Sequence, residues 1–393
     1  MAAALRNLWR MNGVRNDAAT PLVTENGLDD FGLVKSLQQL VQRGQVVYGV
    51  DTGVAGAMQV SLAPALIEYK AGLRLLIKAA TTNFGATTLN VNGLGARNVV
   101  RRDGSILLDG DVVAGAVQEY VFDGTNFQLL SAVGRGLLVR NLHLYVNAAI
   151  GSDVNDGTAN VAGKALASIQ VAVDRAFSYP PSQYTVTIHV APGIYGPVAT
   201  PLRGGPDLLI TGDAVTPSNV VINGGNSAAI RVNGPNTMTV EGVRWTTGNP
   251  TSAVSGASAG PSSTLITQYT ESGYCQFGVF QSFWGNVEIR GNHRFTGNSA
   301  YLFVGYGGGG TVQISPNVIL TLASAIAVTA TVYATVSGAV LAPAPRAIFV
   351  NPGNLTGYRF KSELNGVINT VGAGASYFPG SIDGIQITGG QYA

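Results

Sequence analysis

The chain has 393 residues, enough for two or three domains, yet only 11% are charged and 52 are glycine. That is the profile of a turn-dense β protein with large contacting surfaces. A net charge of +2 points to neither nucleic acid nor a membrane surface as partner. One cysteine, Cys275, excludes an internal disulfide framework and a cysteine-based zinc cage.

Residues 1–44 read as an attachment segment. The opening MAAALRNLWRMNGVR carries arginines inside its apolar stretch, unlike a secretory signal. The stretch is irregular to about Asn26. From Leu28, the spacing of Phe31, Val34, Leu37, Leu40 and Val41 predicts a short helix, with Asp29 and Asp30 in its first turn and Arg43 near its end. Such a helix either docks on its own domain or joins the chain to a larger assembly.

Residues 45–135 read as a compact β domain. Strands are predicted at QVVYGV, AMQVSL, LRLLIKA, TTLNVNG, RNVVRR and QEYVFDGTNFQLLS. Turns are expected at Asn92-Gly93, Asp103-Gly104, Asp109-Gly110 and Asp123-Gly124, where tight hairpins need positive φ. Gly93-Leu94-Gly95 lacks the third glycine and the following helix of a dinucleotide loop. The ordered set "TLNVNGLGA", "DGDVVAG" and "YVFDGTNFQLL" resembles a small β module common in bacteriophage tail fibres, which implies a neck domain.

Residues 136–209 read as a capping region. Leu142, Leu144 and Val146 alternate as a strand. A loop of Asp153, Asn155, Asp156 and Gly157 follows, and then Ile169, Ala172, Val173, Ala176 and Phe177 fall on one side of a helix. The loop is not a calcium site: counted from Asp153 the glycine comes one position early, and Lys164 stands where a bidentate glutamate is required. It is not a phosphate loop either, since no hydroxyl residue follows Lys164. Short polar side chains bonding their own backbone is the remaining reading. The succession "YVNAAIGSDVNDGT", "ALASIQVAVDRA" and "TIHVAPGIYG" resembles the first rung of right-handed parallel β-helices of the pectate-lyase-like type. There a strand, loop and helix close the end of the coil.

Residues 210–342 should then be parallel coils. "LLITG", "VVING", "AIRVNG", "MTVEGVRW", "NVEIRGN", "TVQISPN" and "TVYATVSG" are short β words ending in turn residues. Val240, Val287, Val312 and Val332 begin similar words and suggest a repeat of roughly 20–25 residues, hence about five or six coils. The uncharged run 318–342 is long enough to cross a bilayer, but its Thr, Val and Ala at period two favour buried strands. Residues 343–393, with "NGVINT", "GAG", "YFPG" and the terminal "TGGQYA", resemble the ends of phage tail spikes and fibres, which implies a strand-rich tip or trimer clasp.

Two chemistries compete. Polysaccharide hydrolysis needs paired carboxylates, and an inverting pair must stand wide apart. Glu241 in "TVEGV" and Glu288 in "NVEIR" would share a face two coils apart if their valines are in register. The bland alternative is that each is a solvated residue, paired with Arg244 or Arg290. Sugar binding is favoured by an aromatic window: ten of the chain's 31 aromatics lie between Tyr269 and Tyr306. Tyr274, Trp284, Tyr301 and Tyr306 are the expected receptor contacts, with Asn286, Asn292 and Arg294 as hydrogen-bonding partners. Phe277, Phe280, Phe283 and Phe295 read rather as interior or subunit contacts. His143, His189 and His293 lie far apart in sequence and read as packed or surface residues, so no metal and no cofactor is expected.

Together the resemblances imply a mainly all-β fold: a small β module followed by a capped right-handed parallel β-helix, in a homotrimeric phage tail fibre or spike. Expected partners are virion tail or baseplate proteins through residues 1–44 and a host-surface polysaccharide, with no nucleic acid and no membrane insertion. The expected location is the virion. The competing readings are a polysaccharide depolymerase on the same fold and a purely structural tail, collar or baseplate component.

Overall fold

A computed structural model describes residues 23–24, 27–28, 42, 47–131, 138–248 and 254–393. The helix expected from Leu28 lies almost wholly outside the described residues. Leu28 itself belongs to a strand, Gly27–Leu28, that pairs antiparallel with Val23–Thr24. The chain divides into two units, Met1–Leu137 and Leu138–Ala393.

The first unit contains a mixed seven-stranded sheet. In spatial order its strands are Tyr48–Val50, Arg74–Lys78, Val117–Phe122, Phe127–Leu129, Arg97–Val100, Thr87–Val91 and Ala57–Val60. All six expected strand words contribute, the last one as two strands. The 122–127 hairpin closes because Asp123 accepts from the backbone N–H of Thr125 and Asn126, at 2.8 and 2.7 Å. Asn92 and Gly93 both take positive φ, as their turn requires. Leu75, Ile77, Leu89, Val91, Tyr120 and Phe127 form the core. Buried Asp111 is held by a two-pronged pair with Arg101, at 2.6 and 2.7 Å.

The second unit is a parallel β-solenoid of the right-handed type. Three sheets run its length, with ten, seven and eight strands. The first sheet begins at Leu142–Val146 and ends at Gln391–Tyr392. Parallel strands in coils are buried on their inner face, and their inward residues stack in columns. In the first sheet Leu144, Ile188, Ile210, Val240, Thr267, Ile289 and Ile314 align. In the second, Tyr195, Ile222, Trp245, Ser272, Phe295 and Leu322 align. In the third, Ile230, Ala257, Phe280, Phe303, Val332 and Phe360 align. Each full burial of such a side chain contributes about 1.5–3 kcal/mol before ordering costs.

Coil length is not constant. Val186 aligns with Leu208, 22 residues on, whereas Leu208 aligns with Met238, 30 residues on. Later coils fall between these limits, so the extra residues sit in the corners. The coils span residues 142–392 rather than 210–342 alone; within 210–342 the first sheet has six successive strands, from Leu208–Thr211 to Ala339–Leu341, in keeping with the five or six coils expected there. Residues 343–393 continue the same sheets through Ile348–Val350, Leu355–Ser362, Val367–Asn369, Ile385–Gln386 and Gln391–Tyr392. The uncharged 318–342 run forms strands Ile319–Leu322, Ile326–Thr335 and Ala339–Leu341. No helix among the described residues is long and apolar enough to cross a membrane.

Both ends of the interior are filled. The helix Ile169–Ala176 buries Ile169, Ala172, Val173 and Ala176 and packs on the strands 142–146, 186–190 and 198–199. At the other end Phe378 is fully buried near Phe349, and Tyr392 stacks on Phe360 with ring centroids 4.0 Å apart.

Candidate functional site

The Asp/Asn loop before the helix holds the cap. The Asp153 carboxylate accepts from the backbone N–H of Ala167 and Ser168, both at 2.9 Å, and from the Ser168 hydroxyl at 3.0 Å. Ser168 is the helix N-cap. Asn155 donates to the Ala165 carbonyl, and Asp156 pairs with Lys164 at 2.8 Å. Among the described residues no cluster of three or more His, Cys, Asp or Glu is placed to hold a metal. His143 and His189 do meet, Nδ1 to Nε2 at 3.0 Å, with Tyr145 stacked on His189. Burial and the neighbouring His143 both lower the His189 pKa.

Glu241 and Glu288 face outward on the first sheet, two coils apart but out of register. Glu241 aligns with Gln268, whereas Glu288 aligns with Ile266, two residues earlier on the same strand. The similar valines mislead because Val240 aligns with Thr267 and then Ile289, not with Val287. Two strand spacings combined with that offset put the two backbones about 12 Å apart. Glu288 is moreover engaged by Arg290, at 2.7 and 2.5 Å. Glu241 borders a shallow depression with Asp207, Thr237 and Thr239.

The seven expected receptor residues are distributed over three sheets and their corners. Asn286 lies on the first sheet and accepts from the Thr311 hydroxyl at 2.7 Å. Asn292 accepts from the Ile319 N–H in the next coil. Arg294 lies on the second sheet against Glu271, whose nearly buried carboxylate also meets Arg244; the distances are 2.9 and 3.5 Å. Tyr274 is exposed at the corner that follows the second-sheet strand Thr270–Ser272. Tyr301 belongs to an outward row on the third sheet: Phe277, Tyr301 and Tyr333, with centroids 5.2 and 4.5 Å apart. Lys361 sits over Tyr333, and the Tyr333 hydroxyl donates to Glu363. Burial first, and then that carboxylate, push the Tyr333 pKa up to about 12.

Trp284 and Tyr306 do come together, through Phe283. Phe283 and Tyr306 are register partners, and their rings stack at 5.1 Å with planes 2° apart. Trp284 packs edge-on against both, at 4.4 and 5.7 Å. Gly307 is required beneath it, because φ is +85° and a Cβ there would lie 2.6 Å from the indole Nε1.

Beside this cluster runs a groove of about 400 Å³ on the outer face of the third sheet. Its axis is one register column, Arg231, Ser258 and Gln281. A short side chain between two long ones makes the trough. Phe283 closes one end, while Asn226, Ser227 and Ser255 edge it. The Ser255 hydroxyl donates to Gln281 Oε1, which fixes the amide with its NH₂ free to donate. An aromatic wall beside amide, hydroxyl and guanidinium groups suits a polyhydroxylated ring.

Of the four phenylalanines expected as interior or subunit contacts, Phe280 and Phe295 are interior, whereas Phe277 and Phe283 are half-buried and face outward. Arg231, Ser255, Ser258 and Gln281 escaped sequence reasoning because they come from separate coils. The one available signal was the alternation in "AIRVNG", which places Arg231 opposite to inward Ile230 and Val232. No protein-family model matches the chain, and no curated protein matches it in sequence.

Proposed function

We propose that this chain is the saccharide-binding subunit of a bacteriophage tail fibre or spike, assembled as a homotrimer and joined to the virion through residues 1–44. The observation that carries binding is the third-sheet groove, where Phe283, with Tyr306 stacked on it and Trp284 edge-on, adjoins the hydrogen-bonding column of Arg231, Ser258 and Gln281. The phage context rests on the resemblance of the ordered motifs in 45–131 and 343–393 to pieces of tail fibres and spikes; that of 145–196 is to the β-helix cap alone. Sugar recognition of this kind needs no moving part: the strands hold the side chains rigidly and the ring slides against the aromatic face.

The test uses the full chain and surface polysaccharide extracted from susceptible cells. Retention of the polysaccharide without new reducing ends, reduced in Phe283→Ala, supports the reading. New reducing ends that vanish in Glu241→Gln or Glu288→Gln would make the chain a depolymerase instead. Absence of both across a panel of strains would favour a structural virion part.

A further inference from the structure

We infer that the saccharide taken by the third-sheet groove is anionic, with its acidic group held by Arg231. This deepens the saccharide-binding reading and rests on it. Among the described residues no Asp or Glu lines the groove. Arg231 is exposed, and the one hydrogen bond of its side chain, Nε to the Asn233 side-chain oxygen at 3.0 Å, orients the guanidinium and leaves both terminal nitrogens. None of the ion pairs among the described residues involves it. Four other solenoid arginines do meet carboxylates: Arg244 and Arg294 share Glu271, Arg290 holds Glu288, and Arg359 meets Asp383, while Arg346 donates to backbone carbonyls. Arg231 is thus a charged fork without a protein carboxylate, in a concavity whose other well-placed donor is the Gln281 amide.

The chemistry follows from the arrangement. A guanidinium presents paired N–H groups at the spacing of a carboxylate or phosphate, and a planar pair is stronger than a neutral hydrogen bond. Gln281 stands two coils away on the same column, about 10 Å along the solenoid axis by strand spacing. That is the length of about two sugar residues. One sugar would then place its acidic group on Arg231, and its neighbour would meet Gln281 with a ring face on Phe283. Carboxylated and phosphorylated sugars both satisfy this geometry.

The experiment is binding of the full chain to an array of uronic-acid, sialyl, phosphorylated and neutral oligosaccharides, followed by titration with the best ligand. The expected result is preference for an acidic class, weakening as salt rises, and a loss of about tenfold or more in Arg231→Gln. Arg231→Lys should recover part of a phosphorylated ligand's affinity and little of a carboxylated one's, which separates the two sources. Unchanged thermal unfolding in both variants shows that the loss is local. Neutral sugars bound as tightly as acidic ones, or an acidic ligand indifferent to Arg231→Gln, would overturn this inference and leave saccharide binding intact. No binding to any sugar would overturn both.

Discussion

Asp153 and Ser168 are fifteen residues apart and joined twice: the Asp153 carboxylate accepts both the backbone N–H and the hydroxyl of Ser168, at 2.9 and 3.0 Å. A third bond, from the Ala167 N–H, completes the set. One carboxylate thus ties the loop to the first turn of the helix that covers the solenoid. Asp153→Ala should lower stability by ~1–3 kcal/mol, since it strips two backbone donors and a hydroxyl of a charged acceptor. Urea unfolding measures the loss, and hydrogen exchange should locate it in the strand 186–190 under the helix. Calcium should not change the result.

The imidazole of His293 is fully buried, with Thr270 Oγ1 at 2.8 Å and Ser272 Oγ at 3.0 Å from its two ring nitrogens. Trp245, Phe280 and Phe295 surround it, and burial lowers its pKa to about 3. The unfolded chain has the ordinary value of about 6.5 and therefore binds more protons between these two limits. The His293 contribution is complete above pH 6.5 and is lost as pH falls toward 3, by up to ~1.4 kcal/mol per pH unit. Unfolding free energies at pH 7 and pH 4 should differ more for the native chain than for His293→Phe. Equal slopes would mean the imidazole is not the acid-sensitive group.

Gly307 supports Trp284. Gly307→Ala would combine a strained left-handed residue with a methyl group driven into the indole. A cost of ~1–3 kcal/mol is expected, together with displacement of Trp284. Emission from exposed Trp284 should move to the red while that of buried Trp245 is unaffected. A variant with native emission and native stability would show the contact to be dispensable.

Phe283→Ala and Trp284→Ala should separate wall from rim. Loss of Phe283 removes the groove's aromatic end and a ring stack worth ~0.5–1.5 kcal/mol. If the groove takes a saccharide as proposed, its affinity should fall about tenfold or more with it, since Phe283 is the groove's aromatic contact. Trp284 does not line the groove, so its removal should act more weakly. A larger effect from Trp284 would shift the binding surface toward the Gly307 loop.

Much of the architecture was legible because it depends on local signals. Asp-Gly and Asn-Gly marked turns, alternation marked strands, and the Asp153 loop with Ile169 to Phe177 marked the capping helix. The register was not legible. Val240 and Val287 begin similar words, but nothing in the words records that one coil carries 30 residues and another 22. A slip of two residues then separates Glu241 from Glu288. Val332 belongs to a different sheet altogether, aligned with Phe303. The aromatic window was visible as composition, yet inward Phe280 and outward Phe283 differ only by strand parity, which needs the strand's phase. Arg231 carries no local mark of being unpaired, because that is a property of the coils above and below.

The variable corners separate two kinds of heritable change. Inward columns lock each coil to the next, so a substitution at Ile230 or Phe280 is felt by the whole stack. A corner can gain or lose several residues without moving any column, as the 22- and 30-residue coils demonstrate within one chain. The groove lies where both meet: Arg231, Ser258 and Gln281 stand on the locked strands, while Asn226 and Ser227 belong to a corner. A lineage that swaps corners therefore inherits a ready platform and redraws only the border of the groove, in single steps and without refolding its frame.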